Sequence, residues 1–342
     1  METMVRAGGL QGYVALMLSL GSDPKPLLRR HGLSAARLAD EDALVPLDAA
    51  LDLLEDSARQ TGHDDFGLRL ARAQDISMLG PLALAMQHCA TVADALDCVS
   101  RYLFVHSPGI ALSVRRPGMH GAGSADLRYD ITAPGKDYPR QGYDIGLGVA
   151  HHVLMLLAGA RYRLHAVSVP YEADGPLLTH ARYFGVEIRR GQPCCALHMD
   201  ASSLEAPVRS ANPALLRIAT DYLAAHFPGP AHRLAPRVQL ALSSALGHTT
   251  ADKTAIAAML ALHPRTLQRQ LDQEGTSFEA LRDDVRRQHA LRYLTRTRLP
   301  LTQVAGLLGF SQQSALTRYC RQSFGLTPRA LRDSGTAQSR VL

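Results

Sequence analysis

Between residues 256 and 328 the succession of apolar and polar positions runs through one short pattern twice. The first copy, residues 256–271, continues to Gly275 and Phe278; the second, residues 304–320, continues to Gly325 and Pro328. Ile256 and Val304, Ala257 and Ala305, Leu260 and Leu308, and Leu262 and Phe310 all lie 48 residues apart. Leu267 and Leu316 lie 49 apart, and Gly275 and Gly325 lie 50 apart. One-residue slips of this kind belong in turns, so each copy predicts a short helix, a tight turn and a second helix. A spacer helix over residues 278–298, with Leu281, Val285, Ala290, Tyr293 and Leu294 on its inward stripe, joins the copies.

Upstream the pattern mixes two periods. Residues 47–61 and 92–104 carry the helical period, with Asp48 and Thr91 as starts. Residues 109–115 and 125–132 alternate on either side of Arg116-Pro117-Gly118 and a Gly-rich turn, which predicts a hairpin. An apolar helix over 142–159, a strand over 164–169, a helix over 177–184 and a strand over 196–199 complete an α+β, sensor-like domain. Phe227-Pro-Gly-Pro-Ala-His-Arg233 ends the preceding helix and makes a short, semi-stiff joint. The resulting division is a mixed α/β domain over 12–226, a linker over 227–233 and an all-α domain over 234–334.

In the repeats, a small residue (Ala257, Ala305) lets two helices approach closely, and Ile256, Leu260, Leu267 and Leu271 lock the first crossing. Arg265, Gln268, Arg269 and Asp272 fall at i, i+3, i+4 and i+7, on the face opposite Leu267 and Leu271. Ser314, Thr317, Arg318 and Arg321 repeat that spacing in the second copy, with Gln313 beside them and Leu316 and Cys320 inward. Arg and Gln side chains carry the forked donors and acceptors that match guanine and adenine edges in the major groove. A single basic helical hairpin is common in proteins of many kinds. Two, held on one spacer, can occupy successive major grooves ~34 Å apart.

Charge agrees. Residues 234–334 hold 14 Lys and Arg against 7 Asp and Glu, a net of +7, while the whole chain is +6 and the remainder therefore −1. A basic surface also suits an anionic membrane or an acidic protein, but on paired helix-turn-helix units it most economically serves the phosphate backbone. The chain has neither an aromatic platform for single strands nor an RNA-type sheet motif.

Residues 236–334 resemble the DNA-binding domain of the AraC/XylS family of bacterial transcription regulators. The resemblance lies in Leu308-Gly309-Phe310-Ser311, then Gln312-Gln313-Ser314-Ala315-Leu316-Thr317-Arg318, closed by Phe324-Gly325-Leu326-Thr327-Pro328-Arg329. It implies that Arg265, Gln268 and Arg269 face bases in the first copy and Gln313, Ser314 and Arg318 in the second, with Thr317 and Arg321 on phosphates. His263, Lys253, His289, Leu316 and Cys320 depart from the family's pattern, which implies softer packing behind unchanged reading faces. A weaker resemblance covers residues 20–207. Leu20-Gly21-Ser22-Asp23-Pro24, Leu28-Arg29-Arg30-His31-Gly32-Leu33, Val45-Pro46-Leu47, Phe66-Gly67-Leu68-Arg69 and Leu79-Gly80-Pro81-Leu82 are similar to the arabinose-binding-type N-terminal domain of the branch containing ornithine- and virulence-linked regulators.

Other classes find less support. At 342 residues, 46% hydrophobic and 20% charged, the chain can bury two cores. No apolar run of about 18 residues and no signal pattern are evident, so a cytoplasmic protein without a membrane partner is expected. Five cysteines, Cys89, Cys98, Cys194, Cys195 and Cys320, form no Cys-x-x-Cys and read as reduced thiols. Adjacent His151 and His152 point about 100° apart on a helix and read as structural rather than metal-binding. His106 reads as a helix-ending residue, with pocket lining as the alternative. Asp52, Glu55 and Asp56 read as solvated charge, with no nucleophile or phosphate loop to join them.

The expectation is thus a sequence-specific regulator, an activator by resemblance, with no enzyme activity, catalytic residue, metal or cofactor. Its partners would be a double-stranded DNA operator, RNA polymerase, a small-molecule effector and a second copy in a homodimer. The alternative is a DNA-bound oligomerisation scaffold, or a constitutive regulator whose N-terminal domain has no ligand. The effector pocket is not assignable from sequence.

Overall fold

In a computed structural model of the chain, residues 3–131, 139–172, 177–227, 234–245, 252–260, 262–297 and 299–338 are described. They form two compact units, Met1–Pro228 and Gly229–Leu342. The first opens with strand β1 (Met4–Arg6), ahead of the residue 12 expected from sequence, and helices α1 (Tyr13–Ser19), α2 (Lys25–Arg30) and α3 (Ala35–Ala39). Strand β2 (Leu44–Pro46) pairs antiparallel with β1, Val45 opposite Val5, and leads into α4 (Leu47–Thr61), α5 (Phe66–Arg72), α6 (Pro81–Gln87) and α7 (Val92–Tyr102). The expected hairpin follows as β3 (Ile110–Arg115) and β4 (Ser124–Ile131), with Leu112 opposite Tyr129. After it come α8 (Arg140–Ala158), β5 (Leu164–Ser168), α9 (Leu178–Phe184), β6 (Glu187–Arg189), β7 (Cys195–Asp200) and α10 (Pro213–His226). The large sheet has the order β3-β4-β7-β5-β6, antiparallel except for β5 with β6.

Helix α8 stands between two cores. One cluster joins the sheet to α6, α7 and α10; the other joins α1, α2, α4 and α5, with Ile145 of α8 inside it. The crossing of α5 over α8 is close enough that a Cβ at Gly67 would lie 2.4 Å from the Gln141 carbonyl oxygen, and one at Gly148 would lie 2.6 Å from Ala71 Cβ. No larger residue fits there. Contrary to the sequence expectation, Arg140–Arg161 has the length of a membrane span and contains an 18-residue window apolar enough for one, with a mean hydropathy of 1.3. It is a core helix instead, burying Tyr143, Leu147, Leu154 and Leu157 along with the polar Asp144 and His151.

Asp48 is not the start of α4, whose N-cap is Pro46; Asp48 sits in the first turn, where a carboxylate favours the positive end of the helix dipole. Thr91 does cap α7, in a capping box closed by Asp94. Glu55 and Asp56 are not solvated. Glu55 accepts the Gln141 N–H at 2.7 Å, and burial, the dominant effect, pushes its carboxyl up to about 7. Asp56 accepts from His31 at 3.0 Å and from Arg59 at 2.5 Å, so the two carboxylates tie α4 to α8 and α2. Sequence periodicity places them on a helix but cannot place a distant donor against them.

The second unit is helical: α11 (Leu234–Ala245), α12 (Lys253–Met259), α13 (Pro264–Gln273), α14 (Phe278–Arg296), α15 (Leu301–Leu307), α16 (Gln313–Phe324) and α17 (Pro328–Gln338). Phe278, Leu281 and Val285 of α14 join Ile256, Ala257, Leu267 and Leu271 in one core. Ala290, Tyr293 and Leu294 of the same helix join Val304, Ala305, Leu316 and Cys320 in another. The α+β domain followed by paired helix-turn-helix units on a spacer helix is therefore the observed architecture. Residues 228–233 of the expected joint, Thr132 and Arg298 lie outside the described residues.

Candidate nucleic-acid interface

The two helix-turn-helix units are built by the same backbone closure. In the first turn the Leu262 N–H donates to the Ala257 carbonyl at 2.8 Å; in the second the Phe310 N–H donates to the Ala305 carbonyl at 2.9 Å. Ala257 and Ala305 are buried at the crossing, where a longer side chain would separate the helices. His263, where the family's pattern has another cap, is the N-cap of α13: its Nδ1 accepts the Arg265 N–H at 3.2 Å, ahead of Pro264 in the first turn. Gly275 follows α13 and Gly325 ends α16, both with positive φ.

On α13, Arg265 and Arg269 are exposed and Gln268 is half-buried, opposite buried Leu267 and Leu271. Gln268 is already engaged. It accepts from Lys253 Nζ at 2.6 Å and donates from Nε2 to Asp272 at 2.8 Å, and Lys253 also lies 3.5 Å from Glu279 and over the Phe278 ring. Lys253, a departure in the sequence, thus ties α12, α13 and α14 together and fixes one side chain of the polar face of α13. On α16, Gln313, Ser314, Arg318 and Arg321 are exposed and Thr317 half-buried, opposite Leu316 and Cys320. Thr317 Oγ1 donates to the Gln313 carbonyl at 3.1 Å, and Ser314 Oγ approaches Gln312 at 3.4 Å. Among the described residues, the guanidinium groups of Arg265, Arg269, Arg318 and Arg321 make no ion pair and are free for an external anion.

Three further residues, not singled out in the sequence, hold the faces in place. Arg286 of α14 donates from Nε to the Leu308 carbonyl at 3.1 Å and lies 4.9 Å over the Phe310 ring; burial lowers its pKa from the usual arginine value. Tyr319 of α16 donates to the Asp283 carbonyl at 3.2 Å. Glu274, at the end of α13, accepts the Leu234 and Ala235 N–H groups and so caps α11. None has a local signal, because each acts across more than 20 residues of chain.

In the first unit, Ser168, His198 and Asp126 line up across β5, β7 and β4, with 2.7 Å from Ser168 Oγ to His198 Nε2 and 2.7 Å from His198 Nδ1 to Asp126. The order is that of nucleophile, base and orienting acid, but all three side chains are buried and neither cavity described in this unit reaches them. They are a cross-strand link. His151 and His152 point to different partners, Tyr162 and Tyr183, at 3.0 and 3.1 Å. The five cysteines form no disulfide, and Cys89, Cys195 and Cys320 are buried. An apolar cavity of about 110 Å³ lies between α4, α6, α7, α8 and the β3-β4 hairpin, with His106 in its wall.

Residues 21–208 match the family described as the arabinose-binding domain of AraC transcription regulator, N-terminal, and residues 256–334 match a helix-turn-helix domain family. The chain is 37% identical over 338 residues, 99% of each chain, to the HTH-type transcriptional regulator VirS of Mycobacterium tuberculosis. The chain belongs to the AraC family of transcription regulators. Within that family it is also 28% identical over 278 residues, 80% of each chain, to the ornithine utilization regulator of Pseudomonas aeruginosa. Among solved structures, the transcriptional regulator CdpR of Pseudomonas aeruginosa aligns at 21% identity and a TM-score of 0.44, covering 93% of this chain and 98% of that one. As an AraC-family regulator, the protein binds DNA through its helix-turn-helix domain, and its curated relatives are regulators rather than enzymes.

Proposed function

We propose that this regulator reads a double-stranded operator with both helix-turn-helix units and activates transcription through RNA polymerase in the cytoplasm. Its first unit binds a small-molecule effector and forms the homodimer. The observation that carries the reading is the pair of solvent-facing helices, α13 and α16, each presenting unpaired arginines beside amide or hydroxyl side chains. Both are mounted on one spacer helix buried in both cores. At 1.5 Å per residue, the 19 residues of α14 span about 28 Å, a length suited to adjacent major grooves ~34 Å apart. Arg265, Gln268 and Arg269, with Gln313, Ser314 and Arg318, take base edges; Thr317 and Arg321 take phosphates. The cavity in the first unit favours an effector over a scaffold without a ligand. Exposed Leu215, Ile218 and Tyr222, at i, i+3 and i+7 on α10, favour a second copy packed there.

Gel-shift titration against an operator recovered by in vitro selection tests the assignment. Arg318→Ala should weaken binding by about 5- to 150-fold, equivalent to ~1 to 3 kcal/mol, with an unchanged melting temperature because the side chain is solvent-facing. Arg269→Ala makes the parallel test of α13. Wild-type affinity in both variants would remove these helices as readers. Run-off transcription with RNA polymerase tests activation: added protein should raise the transcript, and a fall would make it a repressor.

A further inference from the structure

The cavity in the first unit has a chemistry of its own. Its walls are aliphatic, from Leu51 and Leu54 on α4, Met86 on α6, Leu96 on α7 and Val153 on α8, and His106 and Tyr129 supply the polar side chains. His106 is 5% exposed, and its Nδ1 has no hydrogen-bond partner. Burial, reinforced by neighbouring Arg6, pushes its pKa down to about 4, so the ring is neutral at physiological pH. An orphaned nitrogen of that kind is rare in a folded protein and is normally met by water or a ligand. One water needs only ~10 to 15 Å³, whereas this space is about 110 Å³ and its apolar walls offer a water cluster too few partners.

We propose that the cavity is the effector site and that its ligand is an uncharged, mainly apolar molecule the size of a benzene ring or a short alkyl chain. The ligand carries one hydroxyl or carbonyl group that meets His106 Nδ1. A neutral imidazole serves either group, accepting from a hydroxyl in one tautomer and donating to a carbonyl in the other. A sugar does not fit this site: each of its several hydroxyls would lose water, and the wall offers partners for one or two. The inference rests on the effector role proposed above and narrows it to a ligand class that the family's arabinose-binding description does not suggest.

Calorimetry and thermal shift on the full-length protein, with phenol, 1-hexanol, toluene and L-arabinose as probes, decide it. Phenol or 1-hexanol should bind and raise the melting temperature of the first unit. Toluene, without a head group, should bind about 2- to 12-fold more weakly than phenol, and L-arabinose not at all. His106→Leu should abolish the preference for phenol over toluene while keeping toluene binding, which doubles as proof that the variant is folded. Ala150→Phe, which fills the space from α8, should abolish binding of all three apolar probes. L-Arabinose binding lost in Ala150→Phe, no binding by any apolar probe, or an unchanged phenol preference in His106→Leu would each overturn the proposal. Probe binding that leaves operator affinity unchanged would support the pocket and overturn the effector role.

Discussion

Single side chains in this regulator do more than their local pattern suggests. Ala305 is 1% exposed at the crossing of α15 and α16, and its carbonyl closes the turn. Ala305→Gly should be tolerated. Ala305→Leu should cost ~1 to 3 kcal/mol by overpacking and lower operator affinity, measured by calorimetric melting and gel shift. Titration gives a second prediction. His106 and His151 are pushed down by burial to about 4 from an ordinary 6.5, so between those values the unfolded chain binds more protons and stability falls as pH is lowered. Glu55, pushed up to about 7 from 4.5, acts in the opposite sense: the folded chain binds more protons in that window and gains stability as pH falls. Melting curves from pH 7 to 4.5 should therefore be flatter for His106→Leu and steeper in acid loss for Glu55→Gln than for wild type. Three parallel curves would contradict both assignments.

Among the elements, α14 is decisive, because one continuous helix contributes side chains to two separate cores. Arg286 lies between its two apolar groups and reaches across to the end of α15. Arg286→Ala leaves the Leu308 carbonyl without that donor and uncovers Phe310, at a cost of ~1 to 3 kcal/mol. The isolated second unit should melt several degrees lower, and Arg286→Lys should restore little, since a lysine has no planar guanidinium for the ring. A variant that melts with wild type would mean that α16 is positioned by its core alone. Long periodic elements such as α4, α7, α8 and α14 were legible in the sequence, as were the hairpin and the cap at Thr91, whereas His263 was legible only as a departure from the family's pattern and not as the cap it provides. The five- to seven-residue helices α1, α2, α3, α5 and α6 were not, because two turns or fewer leave too few positions to establish a period. Helix α10 was legible only as the helix that the joint ends, without bounds: Ala219 and Leu223 alone of its residues are buried, Leu216 is half-buried, and Leu215, Ile218 and Tyr222 face solvent.

At the scale of the molecule, each unit holds its own cores, and the excess positive charge lies in the second. A fragment of residues 234–342 should therefore fold alone and bind operator, with affinity falling steeply as salt rises because its free arginines displace counterions from phosphates. A fragment of residues 1–227 should bind no DNA but keep ligand binding and self-association. Gel shifts at several salt concentrations and sedimentation of the two fragments check this. Operator binding by the first fragment, or its absence in a folded second one, would contradict the division of labour.

By itself the sequence determined the repeat, the polar outer faces of its second helices and the charge asymmetry. These depend on spacings within one helix or between two copies of one pattern, and helical periodicity converts such spacings directly into faces. Only the tertiary structure decided that Lys253 holds Gln268, that Glu55 meets Gln141 across 86 residues, and that His198 links Asp126 to Ser168. It alone placed His106 in the wall of a cavity. Those arrangements arise where segments far apart in the chain pack together, and a hydrogen bond or an empty volume between them has no counterpart in the local order of residues.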